Sequence, residues 1–111
     1  DQRGAPTSTR SLSALLCKAV QSQKANGLYH WSDKADISWF DFAVEIQSQA
    51  VGLGLLKAAI PIKAITTSEY PTPATRPSYS VLDCSKTEKE FDVQQSDWRD
   101  ELRKVLRQIQ I

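Results

Sequence analysis

Apolar residues recur at helical spacing in three stretches of the chain. Leu12, Leu15, Leu16, Ala19 and Val20 follow the i, i+3, i+4, i+7, i+8 rule, which predicts an amphipathic helix over residues 9–25 that Gly27 ends. Ser38, with Asp41 three residues on, has the form of a capping box. From it Phe42, Ala43, Ile46, Ala50 and Val51 carry an apolar face to Gly52 and Gly54. Trp98, Leu102, Val105, Leu106 and Ile109 make one stripe of a last helix, which Ser96 can cap. Ser85 and Glu88 suggest another capping box, for a short helix ending near Phe91.

The stretches between are β-favouring. "GLYHWS" predicts a strand over residues 28–31. "IPIKAI" predicts a second, with Pro61 at its start or on an edge, and "SYSVLD" a short third. The order is helix, strand, helix, strand, stiff loop, strand, helix, helix. Its connections are long enough for crossovers, so the expected fold is α/β, a small sheet with at least one parallel pair covered by helices.

With 111 residues, 41% hydrophobic and 24% charged, the chain fits a single domain over residues 1–111 that buries roughly two thirds of its unfolded surface. The formal charge is +1, and no stretch interleaves Lys and Arg with aromatics, which argues against nucleic acid and anionic membrane as partners. The longest apolar run, residues 51–62, is cut by Gly52, Gly54, Lys57 and Pro61, far short of the ~20 residues that span a bilayer. No signal-peptide pattern opens the chain. Cys17 and Cys84 are far apart, with no C-x-x-C and only His30 as another soft ligand. Free thiols in a reducing cytoplasm are therefore expected, with no zinc site and no disulfide framework. The absence of methionine and the opening on Asp1 in mid-motif imply a piece of a longer protein.

Catalytic signatures are missing. Gly52-Leu53-Gly54, the only G-x-G, follows a helix instead of opening one, so it reads as a C-cap and not as a pyrophosphate turn. The residues four after Tyr29, Tyr70 and Tyr79 are Asp33, Ala74 and Asp83, so there is no Tyr-x-x-x-Lys pair. His30 sits in a predicted strand without any G-x-S-x-G. Asp33, Asp36 and Asp41 read as a solvated loop and a helix cap, and the mixed charges of "DWRDELRKVLRQIQ" as a solvated face. No catalytic, cofactor-binding or metal-ligating residue is assigned.

What remains is "YPTPATRPSYSVLDCSK", residues 70–86, where Pro71, Pro73 and Pro77 surround the isolated Arg76. Each proline fixes φ near −65° and pushes its predecessor into extended geometry, so the loop loses little entropy on being ordered. A stiff loop aims its side chains. A lone guanidinium with a preset approach suits a bidentate anion such as phosphate or carboxylate, although an exposed arginine can equally serve solvation alone.

Together with "DQRGAPTS", "GLYHWSD", "SWFDFA" and "DWRDELRKVL", that segment resembles the C-terminal part of the dTDP-4-dehydrorhamnose reductases, a group of extended short-chain dehydrogenases. The likeness runs in order from residue 1 to about residue 106. Y-P-T-P-A-x-R-P followed by S-x-L-D and S-K is specific to that group, and the rest is shared with other nucleotide-sugar enzymes.

The resemblance implies an N-terminal Rossmann domain, absent from this chain, that holds NAD(P)H and the Tyr/Lys pair, and a smaller C-terminal α/β domain that closes over a dTDP-sugar. This chain would be the smaller domain, binding no cofactor and catalysing no reduction by itself. The complete cytoplasmic enzyme would reduce the 4-keto group of dTDP-4-dehydro-L-rhamnose to give dTDP-L-rhamnose for cell-surface polysaccharide. The Rossmann domain of the same protein is the implied partner, and a homodimer is a further candidate. Arg76 matches a position that reaches the substrate's pyrophosphate, and Gln2 and Thr7 should lie beside the substrate. Tyr79 departs from the asparagine of some members. The helix starting at Ser85 is a poorer anion site, since Asp83 and Glu88 stand beside it. A non-catalytic regulatory homologue, such as the regulatory subunit of methionine adenosyltransferase, shares the fold and an "LDCSK"-like stretch, but the Tyr-Pro-Thr-Pro run favours the reductases. A third reading is an interaction domain using the apolar rim that a Rossmann half would cover.

Overall fold

Ser8 opens the first helix: its Oγ accepts from the Ser11 N–H at 3.0 Å. The computed structural model describes residues 1–23 and 25–109. α1 spans Thr9–Gln21, and Ser22 ends it by donating its N–H to the carbonyls of Lys18 and Ala19. The helix stops before Ala25 because the polar residues after Gln21 offer no apolar position to hold another turn; Lys24 lies outside the described residues.

α2 spans Trp39–Gly52 and begins on the expected capping box, with Ser38 Oγ accepting from the Asp41 N–H and Asp41 Oδ2 from the Ser38 N–H, both at 3.0 Å. At its end Gly54 adopts a φ of +76°, which a side chain would resist, and donates to the Val51 carbonyl at 3.1 Å. α3, Ser85–Phe91, and α4, Trp98–Gln108, complete the helices. Neither uses the expected cap. Cys84 precedes α3, whose Ser85 N–H is taken by Asp83 while Glu88 accepts from the Gln95 N–H, and Asp97 rather than Ser96 caps α4.

The sheet differs from expectation. β1, Arg3–Gly4, pairs antiparallel with β2, Ile37–Ser38, and among the described residues parallel pairing is confined to isolated bridges from Arg3 to Tyr79 and from Lys34 to Asp97. Residues 28–31 form no strand, because side chains satisfy the backbone there. Lys86 donates to the Leu28 carbonyl, Thr87 to that of His30 and Gln95 to that of Ser32. Residues 60–65 form none either: Pro61 has no donor, and the Gln47 amide takes both polar groups of Ile60, at 2.8 and 2.9 Å. In "SYSVLD" only Tyr79 makes a bridge.

The core gathers Leu15, Ala50, Phe91, Trp98 and Leu106, with α2 packed on α4 and α1 on α3. Only Leu15 of the α1 stripe is buried; Leu12, Leu16 and Val20 are exposed, since α3 covers one flank of a wider apolar arc. Residues 57–80 run as an arm along the surface, with Ile62 alone half-buried. The accessible surface is accordingly 8349 Å², against roughly 6,100 Å² for a closed domain of this mass, so less is buried than composition predicts. The radius of gyration, 16.5 Å, exceeds the roughly 13 Å of a compact chain of this length. Among the described residues no helix is long and apolar enough to cross a membrane.

Candidate functional site

The stiff loop is closed at both ends onto the first residues of the chain. At one end, Asp1 Oδ1 accepts from the Thr67 N–H at 2.9 Å and from its hydroxyl, and Gln2 Nε2 donates to Thr67 Oγ1 at 3.3 Å. A 3₁₀ turn over Thr67–Glu69 fixes this contact. At the other end the Arg3 N–H donates to the Ser78 carbonyl at 2.8 Å, and the Ser80 N–H returns to the Arg3 carbonyl at 2.9 Å. Gly4 permits that approach, since a Cβ built on it would stand 2.9 Å from Ser80 Oγ. Arg76 lies between the two anchors.

Two grooves meet at this place. One, about 540 Å³, has Gln2, Gly4, Thr7, Ser80 and Arg76 on its walls, so the three residues singled out from sequence, Gln2, Thr7 and Arg76, line a single concavity. The other, about 620 Å³, is lined by Phe40, Ile62, Ile65 and Tyr70 among others. Gln2, Ser38, Trp39 and Arg76 belong to both. Tyr79 stands beside them as the bridge partner of Arg3, outside the walls of either groove.

The two neighbouring arginines are unlike. Arg3 is spent on Asp36, donating from Nε at 2.7 Å, and this hydrogen bond and charge raise its pKa above the usual guanidinium value. Arg76 has no hydrogen-bonding or ionic side-chain partner among the described residues, so its charge is open to a ligand. The capping hydrogen bond from the Ser38 backbone holds the Asp41 carboxyl below the usual carboxylate range.

Behind Thr7 lies a buried polar knot that the sequence pattern does not announce. The Ser8 N–H donates to Asp33 Oδ2 at 2.8 Å, the Ser11 hydroxyl to Asp33 Oδ1 at 2.5 Å, and the Asp33 N–H to the Pro6 carbonyl at 3.1 Å. From α4, Glu101 accepts from Ser8 Oγ at 2.8 Å, from Arg10 and from Lys104. Asp33 and Glu101 are 2% and 1% exposed, which corrects their reading as a solvated loop and a solvated face. Burial raises the Asp33 pKa against the hydrogen bonds of Ser11 and Ser8. Burial works the same way on Glu101, but the hydrogen bonds of Arg10, Ser8 and Lys104 outweigh it and hold that carboxyl down at about 2. The knot fixes the backbone that presents Thr7.

Residues 1–111 match the family model described as the RmlD substrate binding domain. The chain belongs to that family. Among curated relatives of this substrate-binding domain, the dTDP-4-dehydrorhamnose reductase of Aggregatibacter actinomycetemcomitans is 34% identical over 95% of the chain. The spore coat polysaccharide biosynthesis protein SpsK of Bacillus subtilis is 35% identical over 97% of it. The chain spans 37% and 35% of the length of these two relatives. Solved structures agree. The dTDP-4-dehydrorhamnose reductase of Clostridium acetobutylicum superposes with a TM-score of 0.81 at 34% identity, covering 98% of this chain and 37% of that one. The reductase of Bacillus anthracis, solved in complex with NADP, superposes with a TM-score of 0.84 at 26% identity, covering 99% and 36%.

Proposed function

We propose that this chain is the nucleotide-sugar-binding domain of a reductase that converts dTDP-4-dehydro-L-rhamnose to dTDP-L-rhamnose with NAD(P)H, in the supply of cell-surface polysaccharide. Family membership supports the reaction class, and the names of the relatives favour a reductase over a methionine adenosyltransferase regulatory subunit. The observation that carries the assignment is the groove in which Gln2, Thr7 and Arg76 meet from distant parts of the chain. In it an unpaired guanidinium on a proline-stiffened loop faces two neutral hydrogen-bonding side chains, which suits a diphosphate joined to a hydroxyl-rich ring.

The residues here do not fit a nicotinamide dinucleotide. The one G-x-G turn spends its N–H groups on closing α2, with Leu53 donating to the Gln49 carbonyl and Gly54 to that of Val51. The chain's own part is to hold and orient the nucleotide-sugar. Arg76 neutralises the diphosphate, and Gln2 and Thr7 hydrogen-bond near it. Hydride transfer belongs to a Rossmann domain elsewhere in the protein.

Titration of the complete-gene protein with dTDP-L-rhamnose tests this. Binding that disappears when dTDP-L-rhamnose is replaced by an uncharged rhamnoside is the expected result, and equal binding of both would refute the assignment.

A further inference from the structure

We infer that Asp33 is a positioning residue for ligand binding: it clamps the backbone on both sides of Thr7 and so sets where the Thr7 hydroxyl meets the nucleotide-sugar. This rests on the nucleotide-sugar reading and goes beyond it by assigning ligand affinity to a buried carboxylate outside the groove walls.

Thr7 is exposed, lines the groove and has no hydrogen-bond partner for its hydroxyl among the described residues. Such a side chain meets a ligand in one geometry only if its backbone is held. One residue holds both of its neighbours. The Pro6 carbonyl accepts from the Asp33 N–H at 3.1 Å, and the Ser8 N–H donates to Asp33 Oδ2 at 2.8 Å. The carbonyl belongs to the peptide that enters Thr7 and the N–H to the peptide that leaves it. Both backbone torsions of Thr7 are therefore restrained from a residue distant in sequence.

Asp33 is itself fixed. Its Oδ1 accepts from the Ser11 hydroxyl at 2.5 Å, the Gln95 amide donates to the Ser32 carbonyl at 3.1 Å, and the Lys34 N–H donates to the Ser96 carbonyl at 2.8 Å. The clamp is thus tied to the segment that leads into α4, and the bond from Ser8 Oγ to Glu101 ties it to α4 as well. Burial of a carboxylate is costly, and among the described residues no cation hydrogen-bonds Asp33 to offset it. An apolar residue of similar size would serve packing alone. What the carboxylate adds is two acceptors at fixed angles, one for the Ser11 hydroxyl that sets its rotamer and one for the Ser8 N–H.

The test is a double-variant cycle on the complete-gene protein, read by calorimetry with dTDP-L-rhamnose and by thermal melting. Asp33→Ala removes the acceptor for the Ser8 N–H and should raise Kd about three- to tenfold. Asp33→Asn can still accept from Ser8 and meet Ser11 through its amide, so it should recover most of that loss. Thr7→Val should raise Kd several-fold by itself. In the Thr7→Val background Asp33→Ala should change Kd by less than about twofold while lowering Tm as much as in the parent, because only the effect on binding passes through the hydroxyl. Ser11→Ala, a milder change that frees the Asp33 side chain, should follow the same pattern and carries the test if Asp33→Ala fails to fold. Kd losses that add across the cycle as the Tm losses do, or an Asp33→Ala or Ser11→Ala protein that binds as the parent does, would make Asp33 structural only and overturn the proposal. A parent that does not bind, or a Thr7→Val protein that binds as the parent does, would instead remove the reading of Thr7 as a ligand contact, and the role of Asp33 with it.

Discussion

The carbonyl of Arg3 accepts two hydrogen bonds from Ser80, from its N–H at 2.9 Å and from its hydroxyl at 3.2 Å. This pairing, with the Asp1–Thr67 contact at the other end, closes residues 67–80 into a loop whose one cation is Arg76, unpaired among the described residues. Position of the cation is therefore set by backbone far from it in sequence.

Gly4→Ala probes that link. The new methyl would stand 2.9 Å from Ser80 Oγ, so the hydroxyl must swing away and lose its bond to Arg3, at about 1 kcal/mol. Affinity for dTDP-L-rhamnose should fall several-fold with only a small change in Tm. Adding Ser80→Ala removes the clash and should restore part of the affinity. A double variant no better than Gly4→Ala would show that the spacing at Gly4 is not what positions the loop.

The knot at Ser8 predicts how stability depends on acid. Glu101 is held near 2 against about 4.5 unfolded, so its stabilisation is complete above about pH 4.5 and is lost as pH falls toward 2. Asp33 has the opposite sign: its raised pKa favours the fold below the unfolded value and that share fades as pH rises. Glu101→Gln should cost about 2 kcal/mol near neutrality, with allowance for the exposed ends of Arg10 and Lys104, and the gap from the parent should close on acidification. Urea melts of both proteins from pH 7 to pH 2.5 check this; a gap that stays constant with pH would assign the loss to packing.

Local signals were legible in the sequence and long-range pairings were not. α2 could be read because the Ser38–Asp41 box and the two glycines act within a few residues. The strand at residues 60–65 was misread because its partner is the amide of Gln47, which no β pattern encodes. Asp33 reads as a loop acid because Ser11 of α1, with Ser8 and Pro6 just ahead of that helix, bonds it from a distant part of the chain. Arg76 was legible for a different reason: the prolines around it restrict the backbone wherever the loop packs.

The exposed stripe of Leu12, Leu16 and Val20 and the unpacked arm predict the behaviour of the chain alone. It should bind a dye for apolar surface and associate at high concentration, because an exposed area some 2,000 Å² above that of a closed domain is large for a monomer. Light scattering of a concentrated sample that shows a clean monomer, together with no dye binding, would contradict this.

No reduction should accompany binding by the isolated chain, whose one glycine turn closes a helix and cradles no phosphate. Mixed with NADH or NADPH and dTDP-4-dehydro-L-rhamnose, it should oxidise neither above the rate without protein. Consumption of either would place hydride chemistry on these residues.

The most direct measurement is the affinity of the complete-gene protein for dTDP-L-rhamnose with and without the Arg76 guanidinium. A charge-assisted, bidentate bond to a diphosphate is worth about 1.5 to 3 kcal/mol, so Arg76→Ala should raise Kd roughly ten- to hundredfold, and Arg76→Lys should recover only part. Tm should stay within about 1 °C, because Arg76 holds no hydrogen-bonding partner among the described residues. An unchanged Kd with a fallen Tm would make Arg76 a clamp on its own loop and contradict its place at the diphosphate.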